Sequence, residues 1–164
     1  MRKTIFIFIF CASLLLSFSC NNTSSANRHD RSTEKDLNWK LSMQSYTFHL
    51  FTVPEALDKT AQLGLNFIEI YPGQRMGPEF GDAVFGYNLT TENREQLKQL
   101  AESNGVKIIS SGVWTAGRDE WAQIFSFAKD MEIEFISAEP AKEDWDLVEK
   151  LSEEYGIKVA VHNH

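Results

Sequence analysis

The sequence predicts an α/β fold in which short parallel strands alternate with amphipathic helices. Two observations from residue 39 onward support this prediction. The candidate strands are short runs that are mostly apolar, which is typical of parallel strands buried on both faces. The later strands each follow a segment with helical periodicity, and most of these segments stop at a glycine.

Five strands are predicted, at 39–48, 65–72, 106–110, 133–140 and 157–164. The first intervening helix is expected to begin at Pro54 and to end at Gly64, because proline suits a first helical turn and glycine suits a helix end. The second helix follows Thr90, with Glu and Gln in reach for a capping box. The third carries Trp121, and the fourth is expected to bury Trp145 on its apolar face.

Two architectures fit this alternation. A flavodoxin-like open parallel sheet is complete with five strands, whereas a (β/α)₈ TIM barrel needs eight strands and roughly 250 residues. No G-x-G-x-x-G follows the first strand, so a dinucleotide-binding sheet has no support. The 126 residues at 39–164 hold four strand–helix units and one further strand. The barrel interpretation therefore requires that the chain is truncated after strand five.

The first residues have the pattern of an export signal. Two basic residues precede the apolar run at 5–18, which is too short to span a bilayer comfortably. A small residue followed by Cys20 resembles a bacterial lipoprotein signal. We expect a signal peptide at 1–19, lipidation at Cys20, a flexible polar tether at 20–38 and a folded region at 39–164. An ordinary cleaved signal or an uncleaved anchor, with Cys20 incidental, is the alternative.

The predicted signal and the net charge limit the expected location and partners of the protein. An exported protein is expected in the periplasm or on the outer membrane, attached to the membrane through a lipid anchor only. The formal net charge of -7, without a run of Lys or Arg, gives no electrostatic footprint for nucleic acid. A small and uncharged ligand is expected instead.

Ligands of both architectures bind beyond the carboxyl ends of the strands, and polar or aromatic side chains stand at all five of these ends. The candidates are His49 at strand one, Glu69 and Tyr71 at strand two, Trp114 at strand three, Glu139 at strand four, and His162 and His164 at strand five. Carboxylate and imidazole together suit a divalent metal ion. His162 and His164 are two residues apart, so a regular strand presents them on the same side.

Four of these candidates also have a structural interpretation. Glu69 fits a buried acid paired with a cation, and His49 fits a cap of the first helix. Trp114 is placed either in the core or as a surface on which a sugar stacks. Glu139 fits an acid near a helix start, where the helix dipole favours it.

Four stretches, "SMQSYTF…VPEALDKTAQLGLNFIEIY", "VKIISSGV", "FISAEP" and "IKVAVHNH", resemble the sugar phosphate isomerase/epimerase family of xylose-isomerase-like TIM barrels, and its secreted bacterial members in particular. Members of that family continue through three more strands, so the resemblance implies a truncated form or a fragment. It also implies a divalent metal (Mn, Mg, Co or Zn) at the carboxyl end of the barrel. Glu139 matches the metal-binding Glu, and His162 and His164 match histidines that face the site and act in catalysis. In other branches the residue near His162 is itself the metal-binding Glu, and the sequence departs from them there.

The resemblance implies a metal-dependent isomerase or epimerase of a sugar or sugar phosphate, with proton transfer through an ene-diolate. His49, Glu69, Tyr71 and Trp114 are the expected substrate-binding residues. The chain as given is expected to be inactive, since further metal ligands of the family lie beyond strand five. A dehydratase of the same fold is one alternative. The other is a non-catalytic sugar-binding lipoprotein that stacks its ligand on aromatic rings such as Tyr46.

Overall fold

The computed structural model describes residues 39–163, which form five β-strands and four α-helices in alternation. In chain order they are β1 (Ser42–Gln44), α1 (Val53–Gln62), β2 (Phe67–Ile70), α2 (Thr91–Ser103), β3 (Lys107–Trp114), α3 (Trp121–Asp130), β4 (Phe135–Ala138), α4 (Trp145–Tyr155) and β5 (Lys158–Val161). Short 3₁₀ turns at Ser45–Phe48, Pro78–Phe80, Arg118–Glu120 and Lys142–Asp144 lie between them. The predicted signal peptide, the lipidation at Cys20, the tether and His164 lie outside the described residues.

The order of the strands distinguishes the two predicted architectures. All five strands are parallel, and the order in the sheet is β1-β2-β3-β4-β5, so each strand lies beside its predecessor in the chain. A flavodoxin-like sheet has the order 2-1-3-4-5, with a reversal. In a barrel each strand lies beside its predecessor in the chain, so the strand order has no reversal. The barrel prediction is confirmed for these five strands, and the flavodoxin-like alternative is wrong.

The two faces of the sheet differ in exposure. In β2 and β4 every second residue is fully buried in one core with the helices, namely Ile68, Ile70, Ile136 and Ala138. The residues that alternate with them are only partly buried, and they include Glu69 and Ser137. We call the side that carries Gln44, Glu69 and Ser137 the open face. The prediction of strands buried on both faces therefore holds for β3, where consecutive residues are buried, and for only one face of β2 and β4.

Helix α1 begins at Val53, one residue before the start that Pro54 predicts, and Thr52 is its capping residue. The Thr52 hydroxyl accepts a hydrogen bond from the backbone N–H of Glu55, and the Glu55 carboxylate accepts one from the backbone N–H of Thr52 at 2.7 Å. This reciprocal pair is a capping box. The alternative in which His49 caps the first helix is wrong, because Thr52 holds that position. Helix α2 is capped by the Thr90 hydroxyl alone, since Asn93 occupies the position that a capping box gives to Glu or Gln.

The first strand is much shorter than its predicted span of 39–48. It ends at Gln44, whose side-chain oxygen accepts a hydrogen bond from the backbone N–H of Tyr46 at 2.6 Å. A side chain that bonds to the backbone two residues on competes with the strand ladder and turns the chain. The residues that follow Gln44 therefore form a 3₁₀ turn rather than the end of a strand.

The helices are amphipathic and short. The longest is α2, with 13 residues, of which only Leu97 and Ala101 are buried. In α3 Trp121 is fully buried as predicted, but in α4 Trp145 is 54% exposed, which corrects its predicted burial. The Trp145 indole N–H instead donates to the carbonyl of Pro140, so the ring lies over the preceding loop. No helix within residues 39–163 is both long enough and apolar enough to cross a bilayer.

Candidate functional site

A chain of hydrogen bonds crosses the open face near the carboxyl ends of the strands. The Gln44 amide of β1 donates to Glu69 Oε1 of β2 at 2.8 Å, and the Ser137 hydroxyl of β4 donates to Glu69 Oε2 at 3.1 Å. Gln44 also donates to the carbonyl oxygen of Gly112 at 3.4 Å. Glu69 thus links three strands. The interpretation of Glu69 as an acid paired with a cation is wrong for residues 39–163, where its hydrogen-bond donors are neutral.

Gly112 makes this crossing possible. It lies in β3, between the strands that carry Glu69 and Ser137. A β-carbon at this position would stand 2.5 Å from the Ser137 β-carbon and 2.6 Å from the Ser137 carbonyl oxygen. Because those distances are below any normal contact, only glycine allows β3 and β4 to approach this closely here. The approach lets the Ser137 side chain reach Glu69 across the intervening strand.

Glu139 and His162 lie together at the ends of β4 and β5. Each is the first residue after its strand, and its backbone N–H still donates to the neighbouring strand. Glu139 donates to the carbonyl oxygen of Trp114, and His162 donates to the carbonyl oxygen of Ala138, both at 2.9 Å. The Glu139 Oε1 and His162 Nδ1 atoms are 2.6 Å apart. A carboxylate only accepts hydrogen bonds, so Nδ1 is the donor in this contact and Nε2 is the nitrogen left for other partners.

A group of aromatic rings stands beside the end of β1. Tyr46 stacks on His49 with 5.1 Å between ring centroids, and meets the edge of Tyr71 at 5.2 Å. The Tyr71 backbone N–H donates to the Ser45 hydroxyl. The phenol hydroxyl of Tyr71 donates to the His49 carbonyl oxygen at 3.4 Å. Burial raises the pKa of Tyr71, and Tyr46 adds to the rise. Tyr46 itself is 62% exposed.

Trp114 has a different environment from the other candidates. Its side chain is buried, with 5% of the residue exposed, and the ring contacts Tyr87 and Phe127. Its indole N–H donates to the Ser111 hydroxyl at 3.1 Å. These contacts correspond to the core placement considered for Trp114. Its assignment to substrate binding remains a prediction without support from this geometry.

The donors for a metal ion are incomplete within residues 39–163. Glu139 and His162 supply one carboxylate and one imidazole, a donor pair that suits Zn²⁺ or Mn²⁺. In the described part of the chain, no group of three or more His, Cys, Asp or Glu side chains converges on one point. The chemistry of the two residues fits a metal ligand set, and a complete set requires donors from outside this region.

Comparison with solved structures gives matches to the described fold. An uncharacterized protein from Parabacteroides distasonis ATCC 8503 has 34% sequence identity and a TM-score of 0.74, over 77% of this chain and 54% of that one. A sugar phosphate isomerase/epimerase from the same organism has 15% identity and a TM-score of 0.56, over 76% and 51% of the two chains. Searches of protein-family models and of curated proteins give no match.

A D-psicose 3-epimerase, solved in the presence of D-fructose, has 14% identity and a TM-score of 0.56, over 77% of this chain and 55% of that one. The chain thus spans about half the length of the structures that it matches. At this identity the last two matches establish the fold alone. Together with the strand order, they show an α/β fold that matches part of a xylose-isomerase-like TIM barrel.

The sequence patterns did not single out every residue of this region. Gly112 and Ser137 take part in these hydrogen bonds but were not among the predicted site residues. A signal for Ser137 was available, because it precedes Glu139 by two residues and strand side chains alternate between faces. Gly112 also carried a signal, since a glycine inside a strand often marks a close approach of backbones.

Proposed function

We propose that the full-length protein is a sugar isomerase or epimerase that moves a proton next to a carbonyl group. The observation that carries this proposal is the Glu139–His162 pair, placed at two adjacent strand ends where barrels bind ligands. The fold supports it, because two of the matching structures are a sugar phosphate isomerase/epimerase and a D-psicose 3-epimerase.

In the proposed mechanism, His162 is the base. The Glu139 carboxylate holds the proton on Nδ1, so Nε2 takes the proton from the carbon beside the sugar carbonyl and leaves an ene-diolate. For isomerisation, His162 returns the proton to the former carbonyl carbon, while the hydroxyl proton of the first carbon moves to the former carbonyl oxygen. For epimerisation, it returns the proton to the opposite face of the same carbon after reorientation. His164, predicted to share this role, lies outside the described residues.

We include a divalent metal ion (Mn, Mg, Co or Zn) in the proposal, with Glu139 as one of its ligands. When bound, such an ion would supply positive charge that stabilises the ene-diolate. Glu139 would then bind the ion and orient His162 with its two carboxylate oxygens. Residues outside 39–163 would complete the ligand set.

The test is deuterium exchange. The full-length protein is incubated in D₂O with a panel of ketoses and aldoses, and incorporation at carbon beside the carbonyl is followed by NMR. His162→Gln and Glu139→Gln are each expected to slow exchange by about 10²–10⁴-fold, the usual contribution of a general base. Glu95→Gln, an exposed acid on α2, is the control and should exchange at the wild-type rate. Wild-type exchange in both site variants would contradict the proposal.

Non-catalytic sugar binding is the second candidate, and the exposed Tyr46 ring beside Tyr71 favours it. Aromatic rings bind sugars by stacking without any need for a base. In that case calorimetry would detect a sugar that shows no deuterium exchange, and Tyr46→Ala would weaken its binding while His162→Gln would not. A dehydratase of the same fold would show exchange together with loss of one water from the product by mass spectrometry.

A further inference from the structure

The loops at the carboxyl ends of the strands are strongly acidic. We define the strand-end loops as the segments after β1 to β4, at 45–52, 71–90, 115–120 and 139–144. They contain seven acids, Glu79, Asp82, Asp119, Glu120, Glu139, Glu143 and Asp144, against the three cations Arg75, Arg118 and Lys142. This end of the sheet therefore disfavours the approach of an anion.

Both arginines of the strand-end loops are held by another of these loops. Arg75 donates to the Leu50 carbonyl at 2.9 Å. Arg118 donates to the Asp144 carboxylate at 2.8 Å and to the Glu143 carbonyl at 2.7 Å, and the bond to Asp144 raises the pKa of Arg118. An arginine bound in this way has less positive charge to offer a phosphate group.

Helix N-termini normally favour anions, and in a barrel they face this same end. Here three of them are already occupied by side chains of the chain itself. The Glu55 and Glu120 carboxylates accept from the backbone N–H groups of Thr52 and Gly117, each at 2.7 Å. At the start of α2 the Thr90 hydroxyl accepts from a backbone N–H in the same way. The amide groups that would bind a phosphate are thus engaged at α1, α2 and the turn before α3.

The open face adds a further negative group. Glu69 lies there, and within residues 39–163 it forms no ion pair. Its two described hydrogen bonds come from Gln44 and Ser137, whereas a carboxylate accepts about four. Sugar hydroxyls are donors that suit such an acceptor, and a phosphate dianion is not.

We propose that this site selects an uncharged sugar over its phosphorylated counterpart, and that Glu69 accepts a hydrogen bond from a sugar hydroxyl. The inference rests on the proposed function, since it names the substrate class of the same site. Phosphorylation adds charge that the acids of the strand-end loops repel. Glu69 contributes both to that repulsion and to recognition of the neutral ligand.

The experiment compares three sugars with their phosphates on the full-length protein: D-fructose with D-fructose 6-phosphate, D-glucose with D-glucose 6-phosphate, and D-ribose with D-ribose 5-phosphate. Binding is measured by calorimetry and turnover by deuterium exchange, at low and high NaCl concentrations. At least one free sugar is expected to bind more than about tenfold more tightly than its phosphate. The difference should shrink in high salt, because salt screens repulsion between exposed charges.

The Glu69→Gln variant tests the residue. It keeps the size of the side chain and removes the charge, so it should weaken binding of the free sugar about tenfold and reduce the discrimination against the phosphate. Glu95→Gln serves as the control that changes net charge equally on an exposed helix face.

The outcomes separate this inference from the proposed function. If the phosphorylated sugars are bound and turned over in preference, the inference is overturned while the isomerase proposal stands. If neither form binds or exchanges, both are overturned. Wild-type affinity and wild-type discrimination in Glu69→Gln would overturn the role of Glu69.

Discussion

At the scale of single residues, Gly112 is the position where one methyl group should matter most. An added β-carbon would meet the Ser137 backbone and side chain at 2.5–2.6 Å, so β3 and β4 would have to separate. Gly112→Ala is expected to destabilise the protein by about 1–3 kcal/mol, the usual cost of overpacking. The measurement is the midpoint of urea unfolding, with an unchanged slope.

Gly117→Ala is the matched control for that substitution. Gly117 has a φ of -74°, which any residue adopts, and the atom closest to an added β-carbon is the flexible end of the Glu120 side chain at 3.3 Å. Its effect should be within about 0.5 kcal/mol. Equal midpoints for wild type and Gly112→Ala would show that β3 and β4 do not depend on this close approach.

The sequence predicts single-residue positions unevenly. Glu139 and His162 were expected near each other because both follow parallel strands, and carboxyl ends of adjacent parallel strands meet at one edge. The contacts of Gln44 and Ser137 with Glu69 depend on the register of three strands and on the gap at Gly112. Serine and glutamine are common on any surface, so composition alone does not mark them.

At the scale of elements, the start of α1 should depend on pH. Two hydrogen bonds from Thr52 hold the pKa of Glu55 below its ordinary value of 4.5. The bond from the backbone N–H has the larger effect, and the bond from the hydroxyl has the smaller one. A lowered pKa means that the folded state favours the charged carboxylate. The stabilisation is therefore present above pH 4.5 and is lost as the pH falls through the lower pKa of the folded state.

The corresponding experiment compares thermal unfolding of wild type and Glu55→Gln between pH 7 and pH 3. Wild type should have the higher Tm at pH 7, and the difference should disappear at the acidic end. Glu92→Gln controls for the loss of an acid from a first helical turn, because the Thr90 hydroxyl caps α2 without it. A difference in Tm that is the same at both pH values would refute a role for the Glu55 charge.

Elements were predictable where local chemistry decides them. Pro54 placed the start of α1 to within one residue, because proline favours a first helical turn, whereas the capping box of Thr52 and Glu55 was not predicted. The first strand was overestimated, because the apolar run continues past Gln44 while the Gln44 side chain turns the backbone. The predicted burial of Trp145 is wrong for a related reason, since the ring bonds to the preceding loop instead of joining the core.

At the scale of the whole molecule, the predicted lipid anchor has a direct test. Cys20→Ala should shift the full-length protein from the membrane fraction of a bacterial cell to the soluble periplasmic fraction and abolish labelling with a radioactive fatty acid. Hydrophobic acyl chains would be what holds the protein at the membrane. Cys11→Ala, inside the predicted signal, is the control and should leave both unchanged. Fatty-acid labelling that survives in Cys20→Ala would rule out this cysteine as the lipid attachment site.

The overall architecture was only half determined by the sequence pattern. Alternating strands and helices indicate a parallel sheet, but the same alternation produces reversed and unreversed strand orders. The order depends on which side of the sheet each helix covers, and this is a long-range property of packing. The resemblance of the motifs, rather than their periodicity, favoured the barrel that the strand order confirms.

The unreversed strand order also has a consequence for how the chain folds. Paired residues of adjacent strands, such as Ser42 with Phe67 or Phe67 with Lys107, are separated by about 25 to 40 residues. The entropic cost of closing a loop grows only slowly with loop length, so each added strand costs a similar amount of loop entropy. Each strand can join a sheet that has already formed, in the direction in which the ribosome releases the chain. The sheet is therefore suited to growth during synthesis, one strand–helix unit at a time.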